Sequence, residues 1–211
     1  MDPLVAHQRA QDAFAALLAN VSPDQLGAST PCSEWTIRDL IEHVIAGNEH
    51  VGLWAESPTQ PPARPDNILG AHRVAATAAN EMFAGPGGMA TTFKLPFGED
   101  PGQFFVGIRT TDVLTHAWDL AAATGQSTDI DPELAREQLA AARAFVGPSS
   151  AGRASPSLRS SRARPSACLP ISWPPSWAET CSDTRFLTQP PRSTSITALK
   201  SLSAWSAANL A

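Results

Sequence analysis

The chain has 211 residues, 43% of them hydrophobic and 17% charged, with a formal net charge of −5, so one domain with a substantial core is expected. Residues 1–148 hold 18 acidic and 8 basic residues, and an acidic body of that kind argues against broad nucleic-acid binding. No window approaches the roughly 20 apolar residues of a membrane span, the N-terminus lacks the basic start and apolar run of a signal peptide, and Cys32, Cys168 and Cys181 form no C-x-x-C pair or disulfide framework; a cytoplasmic protein is expected.

Leu4, Ala10, Phe14, Leu17 and Leu18 recur near helical spacing, which predicts a first amphipathic helix over 3–20. Ser22-Pro23-Asp24 and the segment from Gly27 to Pro31 break it. Thr36 is placed to cap a second helix, with Asp39 three residues on as a capping-box variant. That helix runs to about Trp54 and carries Ile37, Leu40, Ile41, Val44 and Ile45, with His43 near its middle. Ser57 to Pro65 is a proline-rich loop, and 66–84 is an alanine-rich third helix stopped by Gly85-Pro86-Gly87-Gly88. That glycine run lacks the lysine and the strand-helix setting of a phosphate loop, so a turn is expected. Residues 90–97 are extended or loop, because Pro96 keeps them out of a central strand. Phe104 to Thr124 is the fourth helix, ended by Gly125, and 131–146 the fifth, with Asp131-Pro132-Glu133 as cap and first turn. The pattern predicts an all-α bundle, up-and-down in its simplest form.

The fourth helix carries the chemistry. Asp112 and His116 are four apart, so both project from one helical face. A carboxylate and an imidazole so placed can hold a divalent metal, and Asp119, one turn on, is a spare ligand or a partner that orients His116. A third ligand must come from another element, and His43 is the best placed. The bland alternative makes Asp112 and His116 a pair on the helix surface and His43 a core histidine. Trp35 and Trp118 are expected to pack. Cys32 has neither a neighbouring base nor a reason for a lowered pKa and is expected to be a structural thiol. His7, His50 and His72 lack partners at metal spacing and are expected on the surface. Arg109, three residues before Asp112, would bind an anionic substrate group or pair with a carboxylate, with the second favoured.

Two stretches carry a resemblance. T-P-C-S-E-W-T-I-R-D-L-I-E-H-V, from Thr30 to Val44, resembles the first signature of actinobacterial DinB-like proteins related to the N-terminal domain of mycothiol-dependent maleylpyruvate isomerase. D-V-L-T-H-A-W-D-L-A-A-A-T-G-Q, from Asp112 to Gln126, resembles the second. The resemblance covers roughly residues 5–147 and implies a DinB-like four-helix bundle with a divalent metal. The ligand positions it implies fall on His43, Asp112 and His116; Asp112 stands where the isomerase branch has Glu, one methylene longer. Zinc is the first choice for two His and one carboxylate, with nickel, iron and manganese as alternatives.

After Gly147 the text changes. Residues 149–211 hold fifteen Ser, seven Pro and three Trp without helical or alternating period, as expected of an irregular, disordered tail beyond a 1–148 domain. Shifting the frame by one base lets Ser149 to Arg153 read leucine-arginine-glycine-proline-glycine. The same shift gives Cys168 to Thr180 an aspartate-glutamine-leucine-alanine-alanine-phenylalanine-leucine-glycine-arginine helix. Relatives continue with segments of that kind, so a frameshifted or non-native end is expected, and the bases of the gene decide it.

The expected function is divalent-metal binding, in an enzyme that uses a low-molecular-weight thiol such as mycothiol for isomerisation or S-transfer on an electrophilic substrate. No separate general base is marked, and maleylpyruvate itself is not expected as substrate, because the second domain of that isomerase is absent from the sequence. The rival is a non-catalytic metal-binding or structural bundle. A monomer or homodimer without nucleic-acid or membrane partners is expected.

Overall fold

A computed structural model describes residues 1–146, apart from Ser33, Pro96 and Phe97. The expectations for residues 149–211 and for the domain boundary at 148 lie outside the described residues. Among the described residues five α-helices occur: α1 (Pro3–Leu18), α2 (Ile37–Trp54), α3 (Ile68–Ala84), α4 (Gly102–Thr124) and α5 (Pro132–Val146). A two-stranded antiparallel hairpin, β1 (Thr92–Leu95) and β2 (Gly98–Pro101), precedes α4. The extended segment expected at 90–97 is thus half of a hairpin, and it runs directly into α4 two residues before the expected start.

Local chemistry sets the helix ends. Asp2 accepts from the Leu4 and Val5 amides ahead of Pro3, which leads α1. At α2 the Thr36 side chain accepts from the Asp39 amide and the Asp39 carboxylate accepts from the Thr36 amide, the expected capping box. Asn67 caps α3, so that helix begins later than expected. Gly125 closes α4 with φ +71°, a left-handed conformation that favours glycine. Asp131 caps α5 through the Leu134 amide and also takes a bidentate pair from Arg9 of α1.

The four principal helices pack α1 on α4 and α2 on α3, with α5 against α1 and α4. The main core joins Phe14, Ile41, Ile45, Val113, Leu114, Leu120 and Leu134 among others. A second core under the hairpin joins Val51, Phe83, Phe93, Phe105 and Val106. Burying a phenylalanine of that kind is worth on the order of 2 kcal/mol, and Phe83, Phe93 and Phe105 bury together with edge or tilted ring contacts.

Between the two cores lies a layer of buried polar side chains. On α2, Asn48 falls between Ile45 of one core and Val51 of the other; on α4, Arg109 falls between Val113 and Val106. The surface placement expected for His7 and His72 is therefore corrected: both are essentially fully buried. Both ring nitrogens of His7 and Nε2 of His72 have hydrogen-bond partners, which lowers the cost of burying them. His7 Nδ1 pairs with Asn80 Oδ1, and Gln11 bridges His7 Nε2 (3.1 Å), His72 Nε2 (3.1 Å) and Asn48. His50 is only partly buried and stacks on Trp54, so its surface placement is corrected in part. No helix among the described residues is long and apolar enough to cross a membrane.

Candidate metal centre

Helix α4 is buried along most of its circumference, and Arg109, Asp112, His116 and Asp119 line one of its faces. Helix α2 lies alongside and offers His43. Nε2 of His43 and Nε2 of His116 each lie 3.5 Å from Asp112 Oδ1, and the two imidazoles meet edge to face at 4.8 Å between centroids. One donor atom from each of the three residues falls within 4.8 Å of the others. Ligands held about 2.0–2.2 Å from a tetrahedral ion are separated by about 3.3–3.6 Å, so the two separations through Asp112 match those around a small divalent cation. Asp112, though shorter than Glu, reaches both histidines. The surface-pair alternative does not hold, since Asp112 and His116 are 8% and 6% exposed, and His43 faces His116 rather than turning away.

Two of the donors, Asp112 and His116, are held by neighbours. Arg109, fully buried, donates from Nη1 to Asp112 Oδ2 at 2.8 Å and from Nη2 to Asn48 Oδ1 at 3.0 Å. Arg109 thus pairs with a carboxylate, as favoured from sequence, and leaves Oδ1 toward the histidines. Asn48 connects this guanidinium to Gln11 and so to His7 and His72. Asp119 Oδ2 lies 3.3 Å from His116 Nδ1, off the line of a hydrogen bond, the place of a group that orients a ligating histidine.

The loop before α2 completes the site. Thr30 donates from its hydroxyl to the carbonyls of Cys32 and Trp35, while the Ile37 and Arg38 amides donate to Ala28 and Leu26. So tied, the loop sets the Trp35 ring over His43 (4.7 Å) and His116 (5.5 Å) and Cys32 Sγ 3.8 Å from Asp119 Oδ2. Trp35 does pack, as expected, but its packing partners are the two site histidines.

Electrostatics separate the two imidazoles. Burial pushes His43 below its ordinary pKa, and the nearby Asp112 only partly opposes this. Burial also disfavours charge on His116, but Asp112 and Asp119 beside it prevail and lift it to about 9. Burial would raise Asp112, yet Arg109 and the two imidazoles hold it well below the usual carboxylate range. A cation entering here would displace the proton of His116.

Sequence reasoning missed Asn48, Gln11 and Gly47. A Cβ on Gly47 would lie 2.5 Å from Arg109 Nη1 and 2.8 Å from Cζ, so this glycine makes room for the guanidinium. An alanine normally gains about 1 kcal/mol over glycine inside a helix, but overpacking a closed site costs about 1–3 kcal/mol. Gly47→Ala should therefore lower the urea midpoint. Gly107→Ala, where a Cβ meets nothing within 4 Å, should raise it. A stabilised Gly47→Ala would show that Arg109 has room to move.

Fold and site together define a helical bundle with a buried cluster of two histidines and a carboxylate, a donor set of metal-ligand type. Residues 7–121 match the family described as the mycothiol maleylpyruvate isomerase N-terminal domain, and the chain belongs to that family. Two uncharacterized proteins of Mycobacterium tuberculosis, from strains CDC 1551 and H37Rv, are each 74% identical to it over 156 residues, covering 74% of this chain and 86% of theirs. No solved structure matches it.

Proposed function

We propose that the protein binds one divalent metal through His43, Asp112 and His116, and that it is an enzyme using a low-molecular-weight thiol, mycothiol by family, for isomerisation or S-transfer on an electrophilic substrate. The observation that carries the reading is the convergence of those three donors, from two helices, at ligand spacing in a buried site. Zinc suits two imidazoles and a carboxylate, and nickel, iron or manganese would use the same donors. When bound, such an ion supplies Lewis acidity that keeps a thiol deprotonated and its sulfur nucleophilic.

The chain's own residues shape that chemistry. With neutral histidines, Arg109, Asp112 and Asp119 sum to one negative charge, and a divalent cation turns this into one positive charge. A buried positive charge favours an anionic partner such as a thiolate over a neutral one. Arg109 fixes the Asp112 carboxylate by holding its second oxygen. Trp35 covers the two imidazoles on one side and limits water there.

Elemental mass spectrometry on the purified chain tests the reading. Wild type should carry a single equivalent of metal, lost in His116→Ala. Wild type should also consume a thiol and an electrophile together, in a metal-dependent way. A folded wild type that takes up neither zinc nor nickel would sink the proposal, and metal without turnover would leave a metal-binding bundle.

A further inference from the structure

His116 belongs to two clusters. Its Nε2 faces Asp112 and His43, and its Nδ1 faces Asp119 and, beyond it, Cys32. Cys32 Sγ, an Asp119 carboxylate oxygen and a His116 ring nitrogen lie within 4.8 Å of one another. All three residues are buried, at 5%, 0% and 6% exposure. The Asp119 Oδ2 separations are 3.3 Å to His116 Nδ1 and 3.8 Å to Cys32 Sγ, the second about 0.1 Å longer than a tetrahedral edge around zinc and suited to a larger ion such as cadmium. Sulfur ligands sit at about 2.3 Å and nitrogen or oxygen ligands at about 2.0–2.2 Å from zinc, so such edges run to about 3.3–3.7 Å. His116 Nδ1 is buried and has the Asp119 carboxylate at 3.3 Å without an aligned hydrogen bond, which leaves its lone pair open to a cation.

We propose a second cation position built from Cys32 Sγ, Asp119 and His116 Nδ1, taking a thiophilic divalent ion such as zinc or cadmium. Thiolate, imidazole and carboxylate form a softer set than the two imidazoles and carboxylate on the other side of His116, so softer ions favour it. Binding releases the Cys32 thiol proton and leaves His116 neutral, its second proton also going to solvent. A neutral imidazole offers one lone pair, so the two positions compete for a single ion. An ion on Nε2 leaves the proton on Nδ1, facing Asp119. An ion on Nδ1 leaves it on Nε2, facing Asp112. The two aspartates thereby exchange the parts of ligand and orienting partner, and His116 acts as the pivot between a hard and a soft position.

Cadmium binding to the full chain tests this, with Cys168→Ser and Cys181→Ser so that Cys32 is the sole thiol. Cadmium content is measured beside the near-ultraviolet thiolate-to-cadmium absorption. The expected result is a thiolate band in this background that persists in His43→Ala, with one cadmium retained. Cys32→Ser should lose the band while keeping cadmium on His43, Asp112 and His116. Asp112→Asn serves as a second way of disabling the first position should His43→Ala lose helix content. Bound cadmium without a thiolate band overturns the second position and leaves the first intact, with Cys32 only a donor to Asp119. Loss of both cadmium and band in His43→Ala and in Asp112→Asn overturns it equally. No cadmium in any variant overturns both positions.

Discussion

Replacing Arg109 with leucine is expected to cost about 3–5 kcal/mol of stability, the usual result of leaving a buried charge without its partner. The guanidinium is fully buried, holds Asp112 by one nitrogen and Asn48 by another, and sits between the two apolar cores. In Arg109→Leu the Asp112 carboxylate stays in the interior with His116, itself lifted to about 9, as its remaining cationic neighbour, which places the loss toward the lower end of that range. The double variant Arg109→Leu/Asp112→Asn removes both charges and should recover a large part of the loss, because partners in one network do not add. Urea denaturation of the two single variants and the double, metal removed throughout, gives the coupling. Strict additivity would show that Arg109 acts by packing alone. Because a bound cation offsets the Asp112 charge, zinc should raise the thermal midpoint of Arg109→Leu more than that of wild type.

Acid should unfold this bundle at a higher pH than its carboxylates suggest. His7 and His72 are held down to a pKa of about 4 from about 6.5, chiefly by burial; Asn80 partly offsets this for His7, and the charges of Arg73 and Arg109 add to it for His72. A depressed histidine is neutral in both states above 6.5. Between 6.5 and about 4 the unfolded chain binds the proton and the folded chain does not, so stability falls as pH falls through that window. A shift of about 2.5 units is worth roughly 3 kcal/mol per histidine at the acid end, against a total of about 5–15 kcal/mol for a typical domain. The denaturation midpoint should therefore drop steeply between pH 6.5 and 4.5. His72→Gln, which keeps a polar group toward Gln11, should flatten the slope. An unchanged slope would mean that the histidines become charged within the folded state.

Much of the fold was legible because it rests on local chemistry. Helical spacing in α1 and α2, the Thr36–Asp39 box and the Gly125 stop act within a few residues. The hairpin was not legible, since its register depends on Phe93 burying against Phe83 and Phe105, and Phe83 belongs to a helix earlier in the chain.

The site divides in the same way. Spacing along one helix placed Asp112, His116 and Asp119 on one face, and the middle of the second helix offered His43 as the third donor, a position the family stretch from Thr30 to Val44 also implied. By itself, then, the sequence determined which residue types could ligate a cation and which helices carry them. Only the tertiary structure decided who meets whom. It aligned Asn48 with Arg109 and Gln11, opened room for the guanidinium at Gly47, and set Cys32 against Asp119 from 87 positions away. His7 and His72 look like surface residues because a polar side chain on a helix is normally solvated. Their burial became stable only when α1 and α3 supplied partners to each other, with Asn48 of α2 tied in through Gln11. Helix periodicity specifies a face, whereas the relative height of neighbouring helices, which sets hydrogen-bond and ligand distances, arises from packing between them.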